Sequence, residues 1–335
     1  MKIFKQTPKI VLFLFFLLII LAFSVGWFSE KIRLAKTNQP MALRVNSYNY
    51  IKPLLICNTS INANYSDLKP LNTILNQTIQ SEKQVGHVSE VSVYFQDFNS
   101  DERLDINKDE KFHPASLGKV SIMLGIYRLA EEDPNIFDKK IKNIATVDAN
   151  VSQEIKPRDF ARQGNEYTVQ ELIEKMIKYS DNNSLEMLVS VIKPTVFQQV
   201  YQDLQLTIPY DPQAPQNFDF ITTRDISYFF RVLYNSSYLT DEYSEKAMEL
   251  LAQVDYKNGL VAGVPNTINV AHKFGLDTEA SGNTTIRELH DCGIVYHPKN
   301  PYMLCVMTKS NAPIPNIETT IKNISADVWN FENKR

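Results

Sequence analysis

Residues 113–132 read HPASLGKVSIMLGIYRLAEE. An irregular lead-in, His113-Pro114-Ala115, meets Ser116-Leu117-Gly118-Lys119 and then an apolar run at helical spacing, which predicts a helix over 116–131 entered at a serine. Positions i and i+3 share a helix face, so the Lys119 amine should reach the Ser116 hydroxyl. A serine hydroxyl is a weak nucleophile until a neighbouring base takes its proton, and an amine does so when burial or nearby positive charge lowers its pKa. The helix N-terminus adds a field that favours developing negative charge. Taken alone the pattern is weak, because a serine near a helix start and a solvated lysine produce it equally well.

Working outward, Leu71, Ile74, Leu75 and Ile79 fall at helical spacing, and 91–98 (VSVYFQDF) alternates as a strand before a turn at 99–103 and a short return strand. On the other side, helices are expected over 168–179, 183–192, 223–234 and 244–254. Strands are expected over 267–274, 287–296 and 302–309, with a closing helix over 317–331. Strands at both ends with helices between them predict an α+β fold, one antiparallel sheet formed by the chain termini and packed against a mostly helical insert.

Two further polar motifs stand at junctions of this layout. Tyr179-Ser180-Asp181-Asn182 ends one helix and precedes another, where Ser180 could relay a proton, Asn182 could bind a substrate amide, or Ser180 or Asp181 could simply cap a helix. His272-Lys273-Phe274-Gly275 ends an alternating strand, where the glycine permits close backbone approach and the next N–H could donate to an oxyanion.

Together, and in this order, Ser-x-x-Lys, Ser-Asp-Asn and a Lys-x-Gly strand resemble the signatures of serine β-lactamases and penicillin-binding proteins. The flanking text of 113–132, 165–189 (NEYTVQELIEKMIKYSDNNSLEMLV) and 269–310 is similar to class A β-lactamases, over about 67–335. The resemblance implies a three-layer α/β/α domain outside the cytoplasm, where peptidoglycan and β-lactams are met. It also implies roles: Ser116 the acylated nucleophile, Lys119 its partner in proton transfer, and Ser180 the hydroxyl that passes a proton to the leaving nitrogen. Asn182 would bind the acyl side-chain amide, and Lys273 would tune Ser180 and attract a substrate carboxylate. The backbone N–H groups of Ser116 and of Leu276, beyond Gly275, would form the oxyanion hole.

Two departures stand against these matches. Phe274 occupies a position where the family has a hydroxyl residue, so a hydrogen bond to substrate carboxylate is lost and a ring gained. The stretch after the Ser-Asp-Asn helix, 206–220 (LTIPYDPQAPQNFDF), holds Asp211 and Asp219 but no glutamate to position a deacylating water. Three readings follow: a β-lactamase-family hydrolase acting on β-lactams with impaired deacylation, a D-alanyl-D-alanine peptidase or transpeptidase acting on a peptidoglycan stem peptide, or a non-catalytic domain that binds such ligands.

Composition excludes other classes. The 335 residues carry 35 basic and 38 acidic side chains, a net charge of −3, with no long basic block to meet a nucleic acid. Neither the three cysteines nor any histidine pair has metal-ligand spacing, so no metal and no cofactor is expected. Cys57, Cys292 and Cys305 read as small buried hydrophobes, and whether the last two are bonded stays open. Residues 10–28 (IVLFLFFLLIILAFSVGWF) contain no charge over 19 positions, which at about 1.5 Å per residue spans a bilayer core. Residues 1–30 are therefore expected to be a single-pass membrane anchor or an uncleaved signal, with secretion after cleavage near Ala22 and Ser24 as the alternative. Residues 31–66 read as a stalk or wrapped extension, and 67–335 as the catalytic domain.

Overall fold

The computed structural model describes residues 7–37, 42–57, 68–206, 221–282 and 284–335. The chain begins with α1 (Thr7–Thr37), followed by a two-stranded pair, β1 (Ala42–Arg44) and β2 (Leu54–Cys57). Helix α2 (Lys69–Gln84) leads into the hairpin β3 (Glu90–Asp97) and β4 (Arg103–Ile106). The insert holds α3 (Lys119–Glu132), the short strands β5 (Lys140–Lys142) and β6 (Glu166–Thr168), and α4 (Val169–Lys178), α5 (Asn182–Val191), α6 (Pro194–Asp203), α7 (Thr223–Tyr234) and α8 (Asp241–Ala252). Strands β7 (Val270–Ser281), β8 (Thr284–Val295) and β9 (Tyr302–Lys309) and helix α9 (Ile314–Glu332) close the chain.

The main sheet is antiparallel, in the order β4-β3-β9-β8-β7, so strands from the two ends of the chain meet where β3 pairs with β9. Alternation along β3 explains the layering, because successive side chains of a strand point to opposite faces. Val91, Val93 and Phe95 pack with Leu71, Leu75 and Ile79 of α2 and Ile317, Ile321, Ile324 and Val328 of α9. Tyr94 on the opposite face joins Met123, Ile173, Phe229 and Met248 of the insert. The result is the expected three-layer α/β/α arrangement, with α2 and α9 on one face and α3 to α8 on the other.

Several boundaries differ from the expectation. Strand β7 runs to Ser281, well past Phe274, because every residue from Val270 to Ser281 has a partner in β8. The polar Asp277-Thr278-Glu279 end conceals this extension, since an edge strand that has left the core needs no apolar alternation. Helix α6 was not expected. Pro194 stands at its first turn, where the missing N–H costs nothing, and Phe197, Val200 and Tyr201 form its buried stripe. Residues 42–57 are no free stalk. Ile51 is fully buried, Arg44 donates to Phe98 O and Asn235 Oδ1, and Glu245 accepts the N–H groups of Tyr50 and Ile51, so the extension is wrapped onto the insert. Cys292 and Cys305 sit opposite each other on β8 and β9 and are joined by a disulfide, in place of two separate thiols.

The expected span 10–28 lies within α1. The large apolar side chains described there, from Phe13 to Trp27, are exposed. Among the described residues no helix is long and apolar enough to cross a membrane.

Candidate active site

Ser116 and Lys119 enter the site differently from the single helix expected over 116–131. A 3-10 turn, Ala115–Gly118, carries Ser116, and α3 begins at Lys119. Ala115 is held at φ 49°, in the left-handed region that non-glycine residues rarely adopt, so the chain turns sharply just before Ser116. Two groups on β8 fix this turn: Glu288 Oε2 accepts the His113 N–H at 2.7 Å, and His290 Nε2 lies 2.9 Å from His113 O. His290 Nδ1 accepts the Thr308 N–H, so Nε2 is the nitrogen that donates. Burial lowers the His290 pKa to about 4, which keeps the ring neutral in this role.

Lys119 is only 2% exposed, although it bears an amine, because α3 is buried nearly all round. Its Nζ donates to Ser180 O at 2.6 Å, Ser180 Oγ at 3.2 Å and Asn182 Oδ1 at 2.6 Å. The i, i+3 contact with Ser116 expected from the sequence is replaced by this set of bonds to the Ser-Asp-Asn motif. Burial lowers the Lys119 pKa to about 7, opposed by the negative charge of Asp181. Near neutral pH an appreciable share of the amine is thus unprotonated and able to accept a proton.

The middle motif divides its labour. Asp181, fully buried, caps α5 by accepting the N–H groups of Asn183 and Ser184, and also binds Asn150 Nδ2 and the Ala161 N–H. Capping therefore belongs to Asp181, while Ser180 and Asn182 face Lys119. Ser180 is itself left-handed, at φ 60°, which turns the chain between α4 and α5.

On the sheet side, Gly275 meets the turn that carries Ser116 closely. A Cβ there would stand 3.0 Å from the Ser116 backbone nitrogen and 2.9 Å from Pro114 O, so only glycine fits. Lys273 is fully buried behind the cleft. Its Nζ donates to Phe274 O at 2.9 Å and lies 4.2 Å from the centroid of the Phe274 ring. Burial, reinforced by Lys119, holds its pKa well below the usual lysine value. The Phe274 ring stacks on Tyr256 with centroids 4.3 Å apart.

Ser116, Lys119, Ser180, Asn182, Phe274 and Leu276 thus line one cleft of about 340 Å³, while Lys273 and Gly275 lie behind its wall. Three carboxylates that the sequence did not single out, Glu154, Glu186 and Asp277, line it as well. Asp211 and Asp219 lie outside the described residues. Among the described residues no group of side chains could hold a metal ion.

A family model described as the β-lactamase enzyme family matches residues 71–331. The chain belongs to this family. Solved structures of family type superimpose on it at low sequence identity. A mutant of PBP-A, an acyl-enzyme complex with penicillin G, is 19% identical with a TM-score of 0.63, over 79% of this chain and 98% of that one. A class A β-lactamase from Mycobacterium abscessus is 20% identical with a TM-score of 0.63, over 78% and 99%. A β-lactamase from Chitinophaga pinensis is 15% identical with a TM-score of 0.66, over 77% and 99%. These likenesses establish the β-lactamase/transpeptidase-like fold. Among curated proteins nothing matches the chain.

Proposed function

We propose that this β-lactamase-family protein is a serine acyl-transfer enzyme that reacts with β-lactams or related acyl-D-amino acid amides through an acyl-enzyme on Ser116, with slow deacylation. The observation that carries the reading is the bonding of Lys119, with a pKa lowered to about 7, to Ser180 and Asn182 in the same cleft as Ser116. Neutral Lys119, which has two N–H bonds to donate in place of three, turns its lone pair to the Ser116 hydroxyl and takes its proton as the oxygen attacks the carbonyl carbon. The backbone N–H groups of Ser116 and Leu276 receive the oxyanion, and Ser180 hands its proton to the leaving nitrogen as the C–N bond breaks, taking in its place the proton that Lys119 acquired. Asn182 orients the acyl amide. Slow deacylation is supported by the lack of a glutamate in 206–220 and by Glu154 being engaged with Arg287 and Thr278.

A fluorescent penicillin tests the reading. The full chain should retain the label through denaturation, and Ser116→Ala should retain none; absence of label on the unaltered chain contradicts the proposal. Release of D-alanine from a muramyl pentapeptide would point instead to the peptidase reading.

We further place the domain outside the cytoplasm, where the substrates of the proposed reaction are met, anchored by residues 10–28 on the strength of 19 consecutive uncharged positions. The full chain should stay with the membrane pellet after alkaline carbonate and leave it when residues 1–30 are deleted. Release of the full chain by carbonate alone contradicts anchoring.

A further inference from the structure

A second concentration of charge lies at the other edge of the sheet from the cleft. Strand β4 forms that edge, and β7, which bears Lys273 and Gly275, forms the opposite one. Arg103 and Asp105 alternate along β4 and so share a face, on which Tyr94 of β3 stands opposite Asp105 in the register. Helix α7 covers this face with Arg224, Tyr228 and Arg231, whose i, i+4, i+7 spacing puts them on one stripe. The six side chains line a cavity of about 320 Å³.

Three guanidiniums thus meet in one cavity with a single lining carboxylate. Arg224 gives its Nε and Nη2 to Asp105, at 3.3 and 2.6 Å, and Arg103 gives its Nη2 to both oxygens of Asp101, outside the lining, at 3.1 and 2.8 Å. Arg231 has neither ion pair nor hydrogen-bond acceptor among the described residues. Its guanidinium lies 4.8 Å from the centroid of the Tyr228 ring, and its Nε, like that of Arg103, is buried without a partner. Two acids against three cations leave one positive charge unbalanced. Tyr94, only 1% exposed, registers that surplus: burial raises its pKa, and the charges of Arg231 and Arg103 oppose the rise. Buried donors without acceptors are costly, and an anion in the cavity would remove that cost.

The donors select the kind of anion. A guanidinium is a planar fork that pairs two N–H groups with two oxygens of a carboxylate or a phosphate. Forks arriving from both β4 and α7 suit oxygens spread in three dimensions better than the two coplanar oxygens of a carboxylate. A phosphomonoester offers three terminal oxygens and a charge of about −1.5 to −2 near neutral pH, enough to engage Arg231 and to compete with Asp105 for Arg224. The cavity volume falls within the range of about 300–1,000 Å³ usual for small-ligand sites, which leaves room for the organic part of the ester.

We propose that the cavity between β4 and α7 is a binding site for a small phosphomonoester, with Arg231 its primary cation and Arg103 and Arg224 its supporting ones. The site is separate from the cleft of Ser116 and does not depend on the acyl-transfer reading.

The probe is glycerol 3-phosphate, titrated into the full chain at constant ionic strength and followed by phosphorus NMR and by Tm. Saturable line broadening is expected, with a saturable rise in Tm because the ligand binds the folded state. Arg231→Ala should raise Kd about tenfold or more, the worth of one hydrogen bond to a charged group. No saturable binding by the unaltered chain, or an equal Kd in Arg231→Ala, overturns the proposal. Arg224→Ala replaces Arg231→Ala should the latter not fold, and an unchanged Kd there overturns it as well. Lactate, which offers a carboxylate in place of the phosphoryl group, should not raise Tm; lactate binding as tightly as glycerol 3-phosphate contradicts the choice of anion. The same phosphoryl group occurs free and on a lipid headgroup, so vesicles of phosphatidic acid in phosphatidylcholine are added as competitor. Competition by these and not by phosphatidylcholine alone upholds the site with a lipid source, and no competition by either upholds it with a soluble one.

Discussion

The two walls of the cleft are built on different terms. The helical wall is dense with hydrogen bonds among polar groups: Lys119 reaches Ser180 and Asn182, while Asp181 caps α5 and holds Asn150 and Ala161. The sheet wall places backbone against backbone at Gly275 and turns its side chains inward, with Lys273 on Phe274 O and the Phe274 ring on Tyr256. Chemistry is therefore concentrated on the first wall, and the second supplies shape and a backbone donor. Changes to the helical wall should abolish acylation, whereas changes to the sheet wall should alter which substrate is taken.

The largest expected effect is on the helical wall. Lys119→Met removes the proton acceptor and should slow labelling by a β-lactam about 10³-fold, the usual worth of a positioned acid or base, as read by stopped-flow or gel labelling. If the loss were less than tenfold, the proton would have another destination. Asp181→Ala should act on the fold itself. It leaves several buried donors without an acceptor, and the chain should lose about 3–5 kcal/mol in a denaturant titration. A loss under 1 kcal/mol would mean that Asp181 is no hub.

pH gives a graded version of the same comparison. As pH falls through about 7, Lys119 takes up a proton and its lone pair is lost, so the acylation rate should drop about tenfold per unit below that point. Linkage runs in the same direction. Because burial lowers the pKa of Lys119, the folded state binds fewer protons than the unfolded one between about 7 and 10.5, and this group's contribution to stability rises with pH across that window. A rate independent of pH between 6 and 8 would exclude Lys119 as the acceptor.

The smallest expected effect is on the sheet wall. Phe274→Thr restores a hydroxyl where substrate carboxylate is met in the family, and should raise penicillin acylation about tenfold while lowering Tm through loss of the Tyr256 stack. An unchanged rate would show that the carboxylate is not held at this position.

Much of this was legible beforehand, and for a physical reason. Ser116, Lys119, Ser180 and Asn182 stand at helix junctions where short motifs carry their own geometry, and the alternation of β3 announced a two-faced strand. Partners distant in sequence were not legible. Glu154 and Arg287 are separated by 133 residues, and nothing local distinguishes either from an ordinary surface charge. Glu288 and His290, which brace the turn before Ser116, were hidden in the alternation of β8, where an inward polar residue reads as a packing detail. No hydrogen bond joins Lys119 to Ser116, because the Lys119 amine is taken up by Ser180 O, Ser180 Oγ and Asn182 Oδ1, partners 61 and 63 residues away that no local spacing rule anticipates.

The central claim is that Ser116 carries a persistent acyl group, and intact-mass spectrometry over time tests it most directly. After mixing with penicillin G, the account predicts a single adduct of one penicillin per chain, mapped to the peptide bearing Ser116 and lasting far longer than it takes to form. An adduct on another residue, or none on a folded chain at saturating penicillin, would contradict it.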